Sequence, residues 1–327
     1  MKHVRTILVA GLVIAALAVG ASAAELKIGI SKIVAHPALD AVEQAVMDTL
    51  AAAGYTDVEY LLGDAQGDFN VAITIAQNFQ AQNADLVVAI ATPTALAAAQ
   101  VYEGSDVPLV FAAVTDPVSA GLILSATDPS GYGNITGVSD LIPVSSHLAL
   151  LQEVSSDITK IGLVYNPGEE NSAVLTDMAL AAAPGLGLEI ITASADSTAN
   201  VPLAAQSLIG RVDAYYVTTD NTVVSAIDSV LSASADAGVP FLMADSTSLP
   251  SATLTAGFDY YVHGQAVGDV VLQILGGAAP NTIPAVYQAD AEVKLNLDAA
   301  ALIGLEFPQS IIDQAAAIYY GGIEFSK

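Results

Sequence analysis

The chain has 327 residues, with 34 Asp and Glu against 8 Lys and Arg, a net charge of −26 and no cysteine. A surface this acidic repels nucleic acid and anionic lipid, which argues against both as partners. Without cysteine there is no disulfide framework, thiol chemistry or cysteine-linked lipid anchor.

The length suits two domains. The hydrophobic fraction is 54%, but much of it is alanine, so the chain does not read as membrane-embedded. The first residues differ from the rest. Lys2 and Arg5 are followed by an apolar run, Ile7 to Val19, and by the small residues Ala21-Ser22-Ala23. This is the pattern of a secretory signal peptide over 1–24, cleaved after Ala23 or Ala24. A soluble periplasmic protein is expected after cleavage. Its basic residues would be Lys27, Lys32, Lys160, Arg211, Lys294 and Lys327. The acidity also suits a saline habitat, where counterions screen self-repulsion.

From Leu26 the chain alternates. Strands are expected at Leu26–Ile30, Val58–Leu62, Leu86–Ala91, Val107–Val114 and Ile135–Ser139, with helices at Leu39–Ala53 and Val71–Gln80. Leu39, Val42, Val46 and Leu50 carry the helical spacing of the first helix. Asp116-Pro117 reads as the cap of a short helix. Asp140 to Pro143 reads as a crossover, followed by a helix at Ser145–Val154. The alternation then resumes with strands at Lys160–Tyr165, Leu188–Thr192, Asp213–Val217, Pro240–Met243 and Leu254–Phe258. A helix at Tyr261–Leu275, a strand at Glu292–Leu297 and two helical pieces ending near Tyr320 complete it. The expected fold class is α/β, with doubly wound parallel sheets covered by helices on both faces.

One stretch occurs twice. Asp85 to Gln100 and Asp213 to Asp228 each start with an Asp, run through a buried-strand pattern and reach a polar turn. The turns are Thr92-Pro93-Thr94 and Asp220-Asn221-Thr222, each beginning seven residues after its Asp. Upstream, Lys27-Ile28-Gly29-Ile30 matches Lys160-Ile161-Gly162-Leu163. Downstream, Val107-Pro108 leads to Thr115 as Val239-Pro240 leads to Thr247. Open α/β sheets bind ligands at the C-terminal ends of their strands. Two such ends, one per half, imply two lobes facing a cleft.

No catalytic constellation is present: there is no G-x-S-x-G, P-loop, H-E-x-x-H or G-x-G-x-x-G. His36, His147 and His263 are far apart, without metal-ligand spacing, and read as ordinary surface or loop residues. No enzyme activity, metal or cofactor is expected. Arg211 lies away from the cleft, so an Arg clamp on an anion is not available. An anionic group would have to be held by helix N-termini and hydroxyls, for which Ser31, Thr92, Thr94 and Thr115 are placed in the first lobe. The second lobe offers Asp220, Asn221 and Asp245. This asymmetry suits a zwitterion, its carboxylate on the first lobe and its ammonium on the second. Asp220 and Asp116 also read as N-caps. The loop Asn166 to Ser172 is either a capped turn or a cleft wall, and Tyr260 and Tyr261 either pack the hinge or stack on a ligand.

The stretches IGISKIVAHPALDA, GDAQGD, VVAIATPTALAAA, VFAAVTDPVSAGL, NITGVSD, IGLVYNPGEENS, DAYYVTTDNTVVSA and GFDYY span nearly all of the chain after the leader. Together they resemble the ABC transporter substrate-binding family that includes tryptophan- and tyrosine-binding members. The resemblance implies a type I periplasmic binding fold, two lobes joined by a three-crossover hinge. It implies capture of a small ligand, an aromatic amino acid foremost, for delivery by a monomer to an ABC permease of the inner membrane. A membrane-receptor sensor, or a nucleoside or sugar ligand, is the alternative. The implied contacts are Thr92-Pro93-Thr94 and Ala113 to Asp116 in the first lobe. In the second they are Asn166, Asn171, Ser172, Asp220, Asn221 and Asp245, and Gln66 is a further candidate. The lobes would comprise 25–140 with about 260–285, and 141–259 with about 286–327.

Overall fold

The computed structural model describes residues 26–288 and 291–327, apart from the side chain of residue 248. The expected signal peptide lies outside the described residues. The first lobe holds strands β1 (Leu26–Lys32), β2 (Val58–Asp64), β3 (Leu86–Ile90), β4 (Leu109–Val114) and β5 (Ile135–Ser139), and helices α1 (Pro37–Ala52), α2 (Phe69–Ala81) and α3 (Thr92–Val101). The second holds α4 (Val144–Val154), β6 (Lys160–Tyr165), α5 (Glu170–Ala182), β7 (Glu189–Ser194), α6 (Val201–Gln206), β8 (Ala214–Val217), α7 (Asn221–Val224), α8 (Ile227–Ala237), β9 (Phe241–Met243) and β10 (Leu254–Gly257). The chain returns to the first lobe for α9 (Tyr260–Leu275) and β11 (Val286–Tyr287). It ends in the second with β12 (Glu292–Asn296), α10 (Leu297–Leu302), α11 (Gln309–Gln314), β13 (Ala317–Tyr320) and β14 (Ile323–Ser326).

The first sheet has the order β11-β5-β4-β3-β1-β2 and the second β14-β13-β12-β10-β9-β8-β6-β7. Every residue of β3 and β4 is buried, as a parallel strand covered on both faces requires. The duplication is carried by hydrogen bonds. Asp85 Oδ2 accepts the N–H of Lys27 at 2.8 Å, and Asp213 Oδ2 accepts that of Lys160 at 2.8 Å. In each lobe the Asp that begins the repeat locks the start of the strand beside it.

The tail departs from expectation. β12 runs antiparallel to β10, and β13 and β14 form an antiparallel pair where a helical piece was expected to end. Ala317–Tyr320 and Ile323–Ser326 are joined by Gly321-Gly322, both at positive φ, and a two-residue glycine turn favours a hairpin. Val286–Tyr287 pairs with β5, so the first lobe extends past residue 285. After β4, Asp116-Pro117 opens a turn instead of a helix, with Asp116 Oδ1 accepting the N–H groups of Val118 and Ser119.

The chain passes between lobes three times: after β5, before α9 and after β11. α9 lies directly on α1. A Cβ on Gly264 would fall 2.6 Å from the Val42 carbonyl, and one on Gly268 would fall 2.6 Å from Thr49 Cβ. Only glycine permits that approach. The contact fixes the start of α9, with Tyr260 and His263, beneath the cleft. No helix of the described residues is long and apolar enough to cross a membrane.

Candidate functional site

The C-terminal strand ends of the two sheets meet around a cavity between the lobes. The first lobe contributes His36, Ala38 and Leu39 from the start of α1, Ala113 and Thr115 from the end of β4, and Asp140 after β5. The second contributes Asn171, Thr219, Asn221, Val224 and Asp245, and Tyr260 comes from α9. A wider space toward solvent shares Asn221 and is bordered by Gln66, Pro93 and Asn166. Two contacts cross between the lobes at the inner cavity: His36 Nε2 to Asn221 Oδ1 and Thr115 Oγ1 to Thr219 Oγ1, each 3.5 Å.

The polar lining is mostly acceptor. Asp140 is 2% exposed; its Oδ2 accepts the Tyr260 hydroxyl at 2.7 Å and its Oδ1 the Thr115 hydroxyl at 3.4 Å. Burial raises its pKa, and His263 and these hydroxyls oppose the shift. Asp245, 3% exposed, accepts the N–H of Thr247 at 2.8 Å. Asn171 gives its Nδ2 to the carbonyl of Thr219 at 2.8 Å, leaving Oδ1 buried without a partner. Neither Lys nor Arg lines the cavity. Burial lowers the pKa of His36 against the pull of Asp245.

The donor side is the start of α1. His36, its N-cap, is extended and makes no side-chain cap, and Pro37 follows it. The first-turn N–H groups of a helix have no partner within the helix. Two first-turn residues, Ala38 and Leu39, line the cavity and are 2% and 3% exposed.

The expected site residues divide into three groups. Ala113, Thr115, Asn171, Asn221 and Asp245 line the inner cavity, and Gln66, Pro93 and Asn166 line the outer one. Ser31, Thr92, Thr94, Asp116, Ser172 and Asp220 line neither. Asp220 is fully buried behind the wall. Its Oδ2 accepts the N–H of Asn166 at 2.5 Å and the hydroxyl of Ser172 at 2.6 Å, and its Oδ1 the N–H of Val223 at 2.9 Å. Burial first, and the neighbouring Glu169 second, raise its pKa to about 7. Of the two readings of Asp220, the geometry carries capping. Asp245 is the second-lobe acid at the cavity.

The histidines correct a further expectation. His147 and His263 are 2% and 0% exposed, and His36 lines the cavity. Asp140 and His36 are the titratable lining residues absent from the expected site, and Ala38, Leu39, Thr219 and Val224 join them. The first two had a signal: Asp140 sits at an expected crossover, and His36 lies in the loop after β1 that the duplication matches to Asn166–Ser172.

A family model described as "ABC transporter substrate binding protein" matches residues 27–318. The chain belongs to this family. Its members work outside the cytoplasm with an ABC transporter. A tyrosine-binding protein of Clostridioides difficile (strain R20291) is 32% identical over 85% of this chain and 81% of its own. A conserved domain protein of Vibrio cholerae is 36% identical, with a TM-score of 0.87 over 90% of this chain and 99% of that one. A Streptococcus pneumoniae ABC domain in complex with L-Trp is 29% identical, with a TM-score of 0.85 over the same shares. The ligand-free, open structure of a Clostridium difficile substrate-binding protein is 30% identical over those shares, yet its TM-score is 0.68. At nearly equal identity, this substrate-binding protein superposes better on the L-Trp complex than on the open form. The two cross-lobe contacts accord with a closed cleft.

Proposed function

We propose that this protein is the periplasmic solute-binding component of an ABC importer, and that its ligand is an aromatic amino acid held between the lobes. The observation that carries the reading is the lining of the cavity between the lobes: Asp140 and Asp245, no Lys or Arg, and the uncapped start of α1. The ligand ammonium meets Asp245 and Asp140, with Asn171 Oδ1 as a further acceptor. The ligand carboxylate meets the N–H groups at the start of α1, where the helix dipole favours negative charge. Leu39, Val224 and Tyr260 offer apolar surface to the ring. The tyrosine-binding and L-Trp-bound relatives support this ligand class.

Both lobes supply contacts, so ligand has its full set of partners only when they close. That differential affinity shifts the population to the closed form, which a permease then reads. A leader cleaved after Ala23 or Ala24 and delivery as a monomer complete the proposal.

The test is calorimetric titration of refolded, ligand-stripped protein with Trp, Tyr, Phe, Leu, nucleosides and sugars. Tight binding of an aromatic amino acid is expected, weakened roughly ten- to a hundredfold in Asp245→Asn, the usual effect of losing a charge-assisted hydrogen bond. Binding of a sugar alone would leave the transport role standing and overturn the zwitterion assignment.

A further inference from the structure

Ala113 is a cavity-lining residue in an unusual conformation. The register between β4 and β5 shifts between Ala112 and Val114, so Ala113 is the bulged residue, at φ 50. A left-handed conformation is strained for alanine, and a bulge turns a residue out of the ladder. The N–H of Ala113 goes instead to Nε2 of His263, on α9, at 2.9 Å.

That bond fixes the state of the imidazole. A backbone N–H can only donate, so Nε2 is the unprotonated nitrogen and the proton of the neutral ring sits on Nδ1. Gln288, in the third crossover, completes the arrangement, its Oε1 lying 2.7 Å from Nδ1. His263 is fully buried. It therefore ties the bulge to α9 and to the third crossover.

We propose that His263 is a positioning residue for ligand binding: as the neutral Nδ1–H tautomer, it holds the Ala113–Thr115 turn in the shape that lines the cavity. This rests on the cleft being the ligand site. A protonated imidazole has no lone pair for the Ala113 N–H, so acid would release the turn and weaken binding. Two groups near the ring also bear on a pH response. Asp140 faces it from the end of β5 and favours the charged ring, while burial favours the neutral one. Tyr260, on the same helix, packs at 5.8 Å between ring centroids.

The experiment compares ligand affinity, from pH 5 to 8, in wild type, His263→Gln, His263→Leu and the double variant His263→Leu/Ala113→Gly, each checked for folding by circular dichroism. His263→Leu is expected to bind roughly ten- to a hundredfold more weakly, as for an orphaned buried N–H. The added glycine, which adopts positive φ without strain, should recover several-fold. His263→Gln, able to accept the same N–H without titrating, should bind well and lose the acid-side decline of wild type. Unchanged affinity in folded His263→Leu, or no recovery with glycine, would overturn the proposal. So would ¹⁵N spectra of the ligand-free protein that put the proton on Nε2, with the signal assigned by its loss in His263→Gln. Wild type that binds no amino acid would overturn only the ligand reading, since the tautomer is measured without ligand.

Discussion

The two repeated turns occupy the same place in their lobes and are held in opposite ways. In the first lobe, α3 follows Ala91, which sits at φ 79 with no side-chain cap, and the hydroxyls of Thr92 and Thr94 are buried without partners. In the second lobe, two carboxylates serve the start of α7. Asp220 accepts the N–H of Val223, and Glu169 accepts the N–H groups of Asn221 and Thr222 at 3.2 and 2.9 Å and the hydroxyl of Thr222 at 2.7 Å. The reason lies in helix length. α3 has ten residues and packs along α2, so tertiary contacts hold it. α7 has four residues, too few to offset the cost of helix nucleation. Matching positions in a duplicated chain thus do different work once the helix behind one of them breaks.

Removing the second-lobe carboxylate should have the largest effect. Asp220→Ala would strip three buried donors of their acceptor, and such groups cost about 1–3 kcal/mol each when unpaired. Relief of the repulsion from Glu169 offsets part of that, so a loss of at least about 2 kcal/mol is expected in urea unfolding. A variant as stable as wild type would break the comparison.

Of comparable size is the pH dependence built into the same lobe. His147 donates to or accepts from the Tyr216 hydroxyl at 2.9 Å, and burial lowers its pKa to about 4. Unfolded, it titrates near 6.5, so between those values the unfolded chain binds a proton that the folded one does not. Its contribution is therefore complete above about pH 6.5 and is lost as pH falls toward 4, by ~3 kcal/mol. Asp220 has the opposite sign. Its raised pKa of about 7 makes the folded state retain a proton that the unfolded chain releases above roughly pH 4, so stability falls between there and 7. Urea midpoints from pH 4 to 7.5 should show a steeper acid-side loss in Asp220→Asn than in wild type and a shallower one in His147→Gln.

The smallest effect belongs to the first-lobe turn. Thr92→Val keeps the shape and removes a buried hydroxyl that has no partner, a change expected within about 0.5 kcal/mol of neutral. Its ligand affinity should also stay put, because Thr92 does not line the cavity. A large loss of affinity would show that the turn reaches the ligand.

The alternation of elements was legible because buried parallel strands are unbroken apolar runs and the helices between them keep their spacing. Strand β6 begins and ends at the expected residues, and the Asp pair that opens the repeat proves to be the pair that locks β1 and β6. The tail was less legible, since β13 and β14 are short, β14 is exposed throughout, and both carry little pattern. At the site, residue type pointed to the right turns but not to the right side chains. Asp220 and Asp245 both follow strand ends in the second lobe. The sequence does not show that the first turns inward to cap a broken helix while the second reaches the cavity.

The sequence by itself determined the two-lobed α/β plan, the acidic surface and the position of the cleft at the strand ends, because local pattern and duplication are properties of the chain. Only the tertiary structure decided which carboxylates face the cavity and that His36, Asp140 and Tyr260 meet there. It also decided that His263 supports Ala113 from below. Those residues come from β5, α9 and the loop before α1, and their meeting depends on three crossovers and on the close seating of α9 against α1.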